Sequence, residues 1–146
     1  MKKFLCFFSA FILAGCALKN DVVNIQISDQ KYSLEISRAD DERAKGLSNR
    51  KFLSENSGML FVFDNKSTQV FWMKDTLIPL QIIFLDNCKI VDMQQMLVEQ
   101  NPSKPDTTYQ SKKPANMAIE LNINSLPDNL IGTEINGLCN NPIINI

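Results

Sequence analysis

The chain has 146 residues, 45% of them hydrophobic and 21% charged, with 15 Lys and Arg against 16 Asp and Glu for a formal net charge of −1. Length and composition predict one globular domain with a real core, and the charge balance leaves no basic footprint for nucleic acid. The absence of histidine excludes Ser-His and Cys-His catalysis, histidine-ligated zinc and a histidine pH switch.

Lys2 and Lys3 precede an apolar run from Phe4 to Leu13 that ends in Leu13-Ala14-Gly15-Cys16. A run of about ten residues is too short to span a bilayer, which needs about 20. Residues 1–15 therefore read as a signal peptide that is removed. The closing tetrapeptide resembles the lipobox of bacterial lipoproteins, which implies that Cys16 becomes a lipidated N-terminus and holds the protein at a membrane outside the cytoplasm. Ala17 after the cysteine implies the outer membrane if the host is Gram-negative. Loss of Lys2 and Lys3 takes the net side-chain charge from −1 to −3, so the lipid, not electrostatics, would supply the membrane attachment. Residues 16–21 form a short linker, whose five residues after the cysteine reach at most ~17 Å.

The remaining domain, 22–146, reads as strands. Val23, Ile25 and Ile27, then Tyr32, Leu34 and Ile36, alternate with polar residues across a turn at Ser28 to Lys31, the pattern of a hairpin with one buried face. Asp40 can cap a short helix carrying Asp41 and Glu42 in its first turn and closed by Gly46. Gly58 to Phe63 is a continuous apolar run, the signature of a strand buried on both faces, with Asp64 to Lys66 as its turn. Val70 to Met73 and Leu80 to Leu85 are further strands, and Asp86-Asn87 turns the second into Lys89 to Met93. Glu99 to Pro114 reads as a long exposed loop, Met117 to Ile123 as a strand, Ser125 to Gly132 as a brief helical turn, and Thr133 to Ile135 as a last short strand. About seven short strands with one or two short helices predict a mainly β fold, an antiparallel domain that is either a small barrel or a sandwich. Cys88 and Cys139 are the two thiols left after Cys6 and Cys16, and in an exported domain they are candidates for a disulfide closing about 50 residues.

Taken together, Gly46-Leu47 with Arg50, Gly58-Met59-Leu60-Phe61-Val62-Phe63, Phe71-Trp72-Met73-Lys74-Asp75-Thr76-Leu77-Ile78-Pro79-Leu80 and Ile83-Phe84-Leu85-Asp86 resemble domain-of-unknown-function family 192, small secreted or lipid-anchored proteins of bacteria and archaea. Tyr109, Met117-Ala118-Ile119-Glu120-Leu121 and Gly132 continue the resemblance, which spans roughly Val22 to Gly137. The chain departs from the family pattern at Ser48, Asp75 and Gln81, where the family has Met, Asn and Asp. The resemblance implies a compact β-barrel-like domain and supplies no activity.

The stretch Trp72-Met73-Lys74-Asp75-Thr76 places an aromatic, a thioether and polar groups at a strand end, where a pocket would stack a planar ligand or a sugar on Trp72 and orient it with Asp75 and Thr76. The bland alternative makes Trp72 and Met73 core and rim and leaves Asp75 and Thr76 to satisfy the turn. Glu120 lies inside an apolar strand, where an acid needs solvent or a cation, and Arg50 is its expected partner. The candidate pocket is therefore Arg50, Trp72, Met73, Asp75, Thr76 and Glu120. Two further readings compete with a small-molecule or envelope-protein binding module: an envelope-glycan enzyme using Asp75 and Glu120 as acid and base, and a Cu(I) protein using Met59, Met73, Met93, Met96 and Met117, with Met93 and Met96 spaced for one helical face. No cofactor motif is present, and Ser67, or Ser111 beside Lys112, has no nucleophile motif around it.

Overall fold

The computed structural model describes residues 21–144. The expected leader and the lipidation site Cys16 lie outside them. Eight strands and one helix are formed among the described residues: β1 (Val22–Ile27), β2 (Gln30–Ser37), α1 (Asp40–Lys45), β3 (Ser57–Ser67), β4 (Val70–Trp72), β5 (Leu80–Asp86), β6 (Lys89–Met96), β7 (Thr108–Gln110) and β8 (Ala115–Asn122), with a 3-10 turn at Asp128–Leu130.

The fold is mainly β as expected, but it is neither a closed barrel nor wholly antiparallel. Six strands make one open sheet in the order β1-β2-β3-β8-β5-β6, and β4 pairs with β7 in a separate ribbon. β2 and β3 run parallel, because the segment between them is a crossover carrying α1 rather than a tight turn. The sheet edges β1 and β6 are tied by the C-terminal segment. Glu134 bridges Lys89 on β6 and Asn136 bridges Gln26 on β1, so the expected last strand is a pair of isolated bridges. Cys88, in the turn between β5 and β6, is disulfide-bonded to Cys139 just beyond them.

Three local expectations are corrected. Asp64 to Lys66 continue β3 instead of turning, since its register against β8 shifts between Val62 and Ser67. The predicted loop 99–114 contains β7, whose Tyr109 pairs with Phe71. The helix is capped from within: Ala39 is the N-cap and Glu42 Oε2 accepts the backbone N–H groups of Arg38 (2.9 Å) and Ala39 (3.0 Å). Those two donors hold the Glu42 carboxyl below its ordinary pKa.

Both faces of the sheet are buried at its central strands, which explains why β5 carries an apolar run with almost no alternation. The inner face gathers Leu34, Leu60, Ile83, Ile119 and Leu121 with the C-terminal Ile135 and Leu138. The outer face gathers Met59, Phe61, Ile82, Phe84 and Ala118 under Leu47 and Leu53 of the crossover and Met73 after β4. Gly58 sits where three strands meet. A Cβ there would fall 2.3 Å from the Glu120 carbonyl oxygen and 2.6 Å from Leu121 Cδ2. Gly58→Ala is therefore expected to destabilise the fold by about 2 kcal/mol through overpacking, read as a lowered denaturation midpoint at unchanged slope.

Candidate functional site

Strand alternation places Glu120. On β8, Met117, Ile119 and Leu121 point to the inner core, so Ala118 and Glu120 point to the outer face. There Glu120 lies between its cross-strand neighbours Met59 and Ile82 and is 5% exposed. No hydrogen bond from the described residues reaches its carboxyl. Burial pushes its pKa up to about 8, opposed only by the charge of Arg50.

The expected Arg50–Glu120 ion pair does not form. Arg50 instead grips Glu35 of β2 with both ends of its guanidinium, Nη1–Oε1 at 2.5 Å and Nη2–Oε2 at 2.6 Å. Register sets the alternatives: Glu35, Met59 and Glu120 occupy one row across β2, β3 and β8, and Glu35 is the more exposed of its two acids. The fork therefore pairs with the more exposed acid and leaves the buried one without it.

Glu120 lines a cavity of about 270 Å³ roofed by residues 43–48 and walled by β4. Phe71 builds the wall, with edge-to-face contacts to Phe61 (5.1 Å), Phe63 (6.1 Å) and Phe84 (5.8 Å) between ring centroids. Gly46, at φ 47°, lets the roof approach Phe61, where a Cβ would stand 3.4 Å from the ring. Two bonds stitch the roof to the loop after β4: Ser48 Oγ donates to the Lys74 carbonyl at 2.9 Å, and Asn49 N–H to the Asp75 carbonyl at 2.7 Å. Arg43 is committed structurally: its guanidinium donates to the Val62 carbonyl (3.0 Å), pairs with Asp40 and lies over the Phe63 ring.

Of the residues singled out in the sequence, Trp72, Thr76 and Glu120 share this cavity. Trp72 is half exposed, with Lys74 Nζ 5.5 Å from its ring centroid. Thr76 Oγ1 donates to the Lys74 carbonyl at 3.3 Å, so part of its role is to satisfy the turn. Met73 is core, 1% exposed. Asp75 holds the turn at φ 53° and donates its N–H to the Pro102 carbonyl at 2.7 Å. Arg50 lines a neighbouring cavity of about 320 Å³ on the other side of Gly46. Because Asp75 does not line the cavity that holds Glu120, the acid and base of the glycan-enzyme reading are not brought together there. The methionines are split between the two cores, Met93 and Met117 inside and Met59, Met73 and Met96 outside. Met93 and Met96 lie on a strand, not a helix, and so face opposite ways.

The residues missed in the sequence are Arg43, Lys45 and Ser48 of the roof and the aromatic wall Phe61, Phe63 and Phe71. The wall had a signal, alternate aromatics on β3 and one on β4. The roof had none, since its contribution depends on where the crossover lands.

Comparison with known proteins gives a family and a fold. The family model of DUF192, described as uncharacterized ACR, matches residues 23–134. No curated protein matches the chain. A crystal structure from Sinorhizobium meliloti, of a protein titled as a proposed transcription regulator, has a TM-score of 0.68 at 22% identity and covers 82% of this chain and 94% of that one. A protein of unknown function from Novosphingobium aromaticivorans has a TM-score of 0.63 at 22% identity, over 87% of this chain and 90% of its own. At that identity the likeness is one of fold.

Proposed function

This chain belongs to the DUF192 family, and on that premise we propose that it is a small-ligand binding module, held at a cell-envelope membrane by lipid on Cys16. The observation that carries the binding reading is Glu120, a carboxyl buried in an apolar face with no hydrogen-bond partner among the described residues, at a cavity beside a half-exposed tryptophan. A carboxyl this buried, with no protein hydrogen bond, is costly to ionise, and its place beside open space gives a ligand group access to it. The lipid anchor is supported by the residues alone: Lys2-Lys3, the apolar run, and Leu13-Ala14-Gly15-Cys16. An envelope protein as partner is a weaker fit, because the cavity is recessed.

Native mass spectrometry of the protein extracted from membranes tests both parts. The expected spectrum shows a mass increase at Cys16 that survives denaturation, with residues 1–15 gone, and a small-molecule adduct that denaturation releases. The adduct should be absent in Glu120→Leu. A bare native mass overturns the binding reading, and an unmodified Cys16 overturns the anchor.

A further inference from the structure

We propose that the Glu120 cavity takes a small aromatic anion: its ring against the wall of Phe61, Phe71 and Trp72, its anionic group on the ammonium groups of Lys45 and Lys74, and a hydroxyl or carbonyl oxygen at its inner end on the Glu120 carboxyl. This deepens the binding reading above and rests on it.

Charge is the first argument. The chain as a whole is net negative, yet the cavity is lined by Arg43, Lys45 and Lys74 against the single acid Glu120. Arg43 is neutralised by Asp40. Lys45 and Lys74 are exposed, and neither forms an ion pair among the described residues. Two ammonium groups without a carboxylate partner, that of Lys74 lying over the Trp72 ring, attract an anion to the cavity lining and repel a cation.

Shape and chemistry narrow the class. At about 270 Å³ the cavity lies at the small end of ligand sites, which excludes a glycan chain or a peptide. Its walls are aromatic edges and faces, which suit a flat ring. Glu120 is the polar group of the floor, and burial keeps it largely protonated at neutral pH. A neutral carboxyl both donates and accepts, so it meets a ligand hydroxyl or carbonyl oxygen without repelling a negative charge at the other end.

Three probes of one shape and different charge test this: 4-hydroxybenzoate, 4-hydroxybenzyl alcohol and 4-hydroxybenzylamine. Trp72 is the only tryptophan in the chain, so its indole N–H gives a single nuclear magnetic resonance signal that reports from the cavity wall of the full-length protein. The benzoate is expected to shift that signal at about tenfold lower concentration than the alcohol, with the amine weakest, and to lose that advantage as salt rises. In Lys45→Gln/Lys74→Gln the benzoate should lose its advantage over the alcohol. Alcohol or amine binding as tightly as benzoate, or a benzoate affinity indifferent to the double substitution, overturns the anion class and leaves the cavity a binding site. If no probe shifts the signal while the native adduct persists, the aromatic-anion class fails alone. With neither shift nor adduct, both readings fail.

Discussion

Replacing Cys88 and Cys139 together by alanine is expected to lower the stability of the fold by about 4 kcal/mol, the chain-entropy value for a link closing about 50 residues. The bond also acts on the architecture. It fastens the C-terminal tail, just beyond its bridging residues, to the turn between β5 and β6, and the tail in turn joins the two open edges of the sheet. Four backbone bonds make that join: Gly132 N–H to Ile90 O at 2.8 Å, Ile90 N–H to Thr133 O at 2.9 Å, Ile135 N–H to Cys88 O at 2.9 Å and Gln26 N–H to Asn136 O at 3.1 Å. Local opening should therefore appear first at these amides. Hydrogen exchange in the double variant is expected to accelerate at Gln26, Ile90 and Ile135 before it does in β5 and β8. If stability falls by less than about 1 kcal/mol and those amides keep their protection, burial of Ile135 and Leu138 alone holds the tail, and the disulfide is redundant there.

The strands were legible because their signals are local. Alternation in Val23, Ile25 and Ile27 and the unbroken run Leu80 to Leu85 each report how many faces of a strand are covered, and the structure covers one and two respectively. Sheet closure is not local. Whether β2 meets β3 parallel or antiparallel depends on how residues 38–56 cross over, and no residue in that segment states its landing place. The same property hid half the site. Glu120 stood out as an acid between apolar neighbours, and Trp72 as a lone tryptophan at a strand end. Lys45 and Ser48 reach the cavity only because the crossover folds onto the outer face. Arg50 illustrates the limit of pairing by type. Two acids share its row, and the register across β2, β3 and β8, invisible in the sequence, gives Glu35 the guanidinium and leaves Glu120 without it.

Glu120→Gln is expected to stabilise the protein at pH 7 and to do nothing at pH 4. The sign follows from the raised pKa: an acid that ionises at about 8 in the fold and near 4.5 when unfolded holds its proton more tightly in the folded state. Its contribution to stability is therefore full below pH 4.5 and is lost progressively as pH rises toward 8, where the folded carboxyl ionises too. At pH 7 the loss is on the order of 3 kcal/mol, which an amide of the same shape does not incur. Melting of the variant should lie about 10 °C above the parent at pH 7, converge with it near pH 4, and show a flattened slope between. A pH-independent difference would mean that Arg50 keeps Glu120 ionised in the fold, and the neutral floor assigned to the cavity would go with it. The same variant separates a functional carboxyl from an idle one. An amide also donates and accepts, but it presents an N–H pair where the acid presents a single O–H, so a ligand fitted to the acid should bind more weakly. Higher stability with a weakened adduct marks Glu120 as a group whose instability serves binding; higher stability with the adduct intact removes Glu120 from the site.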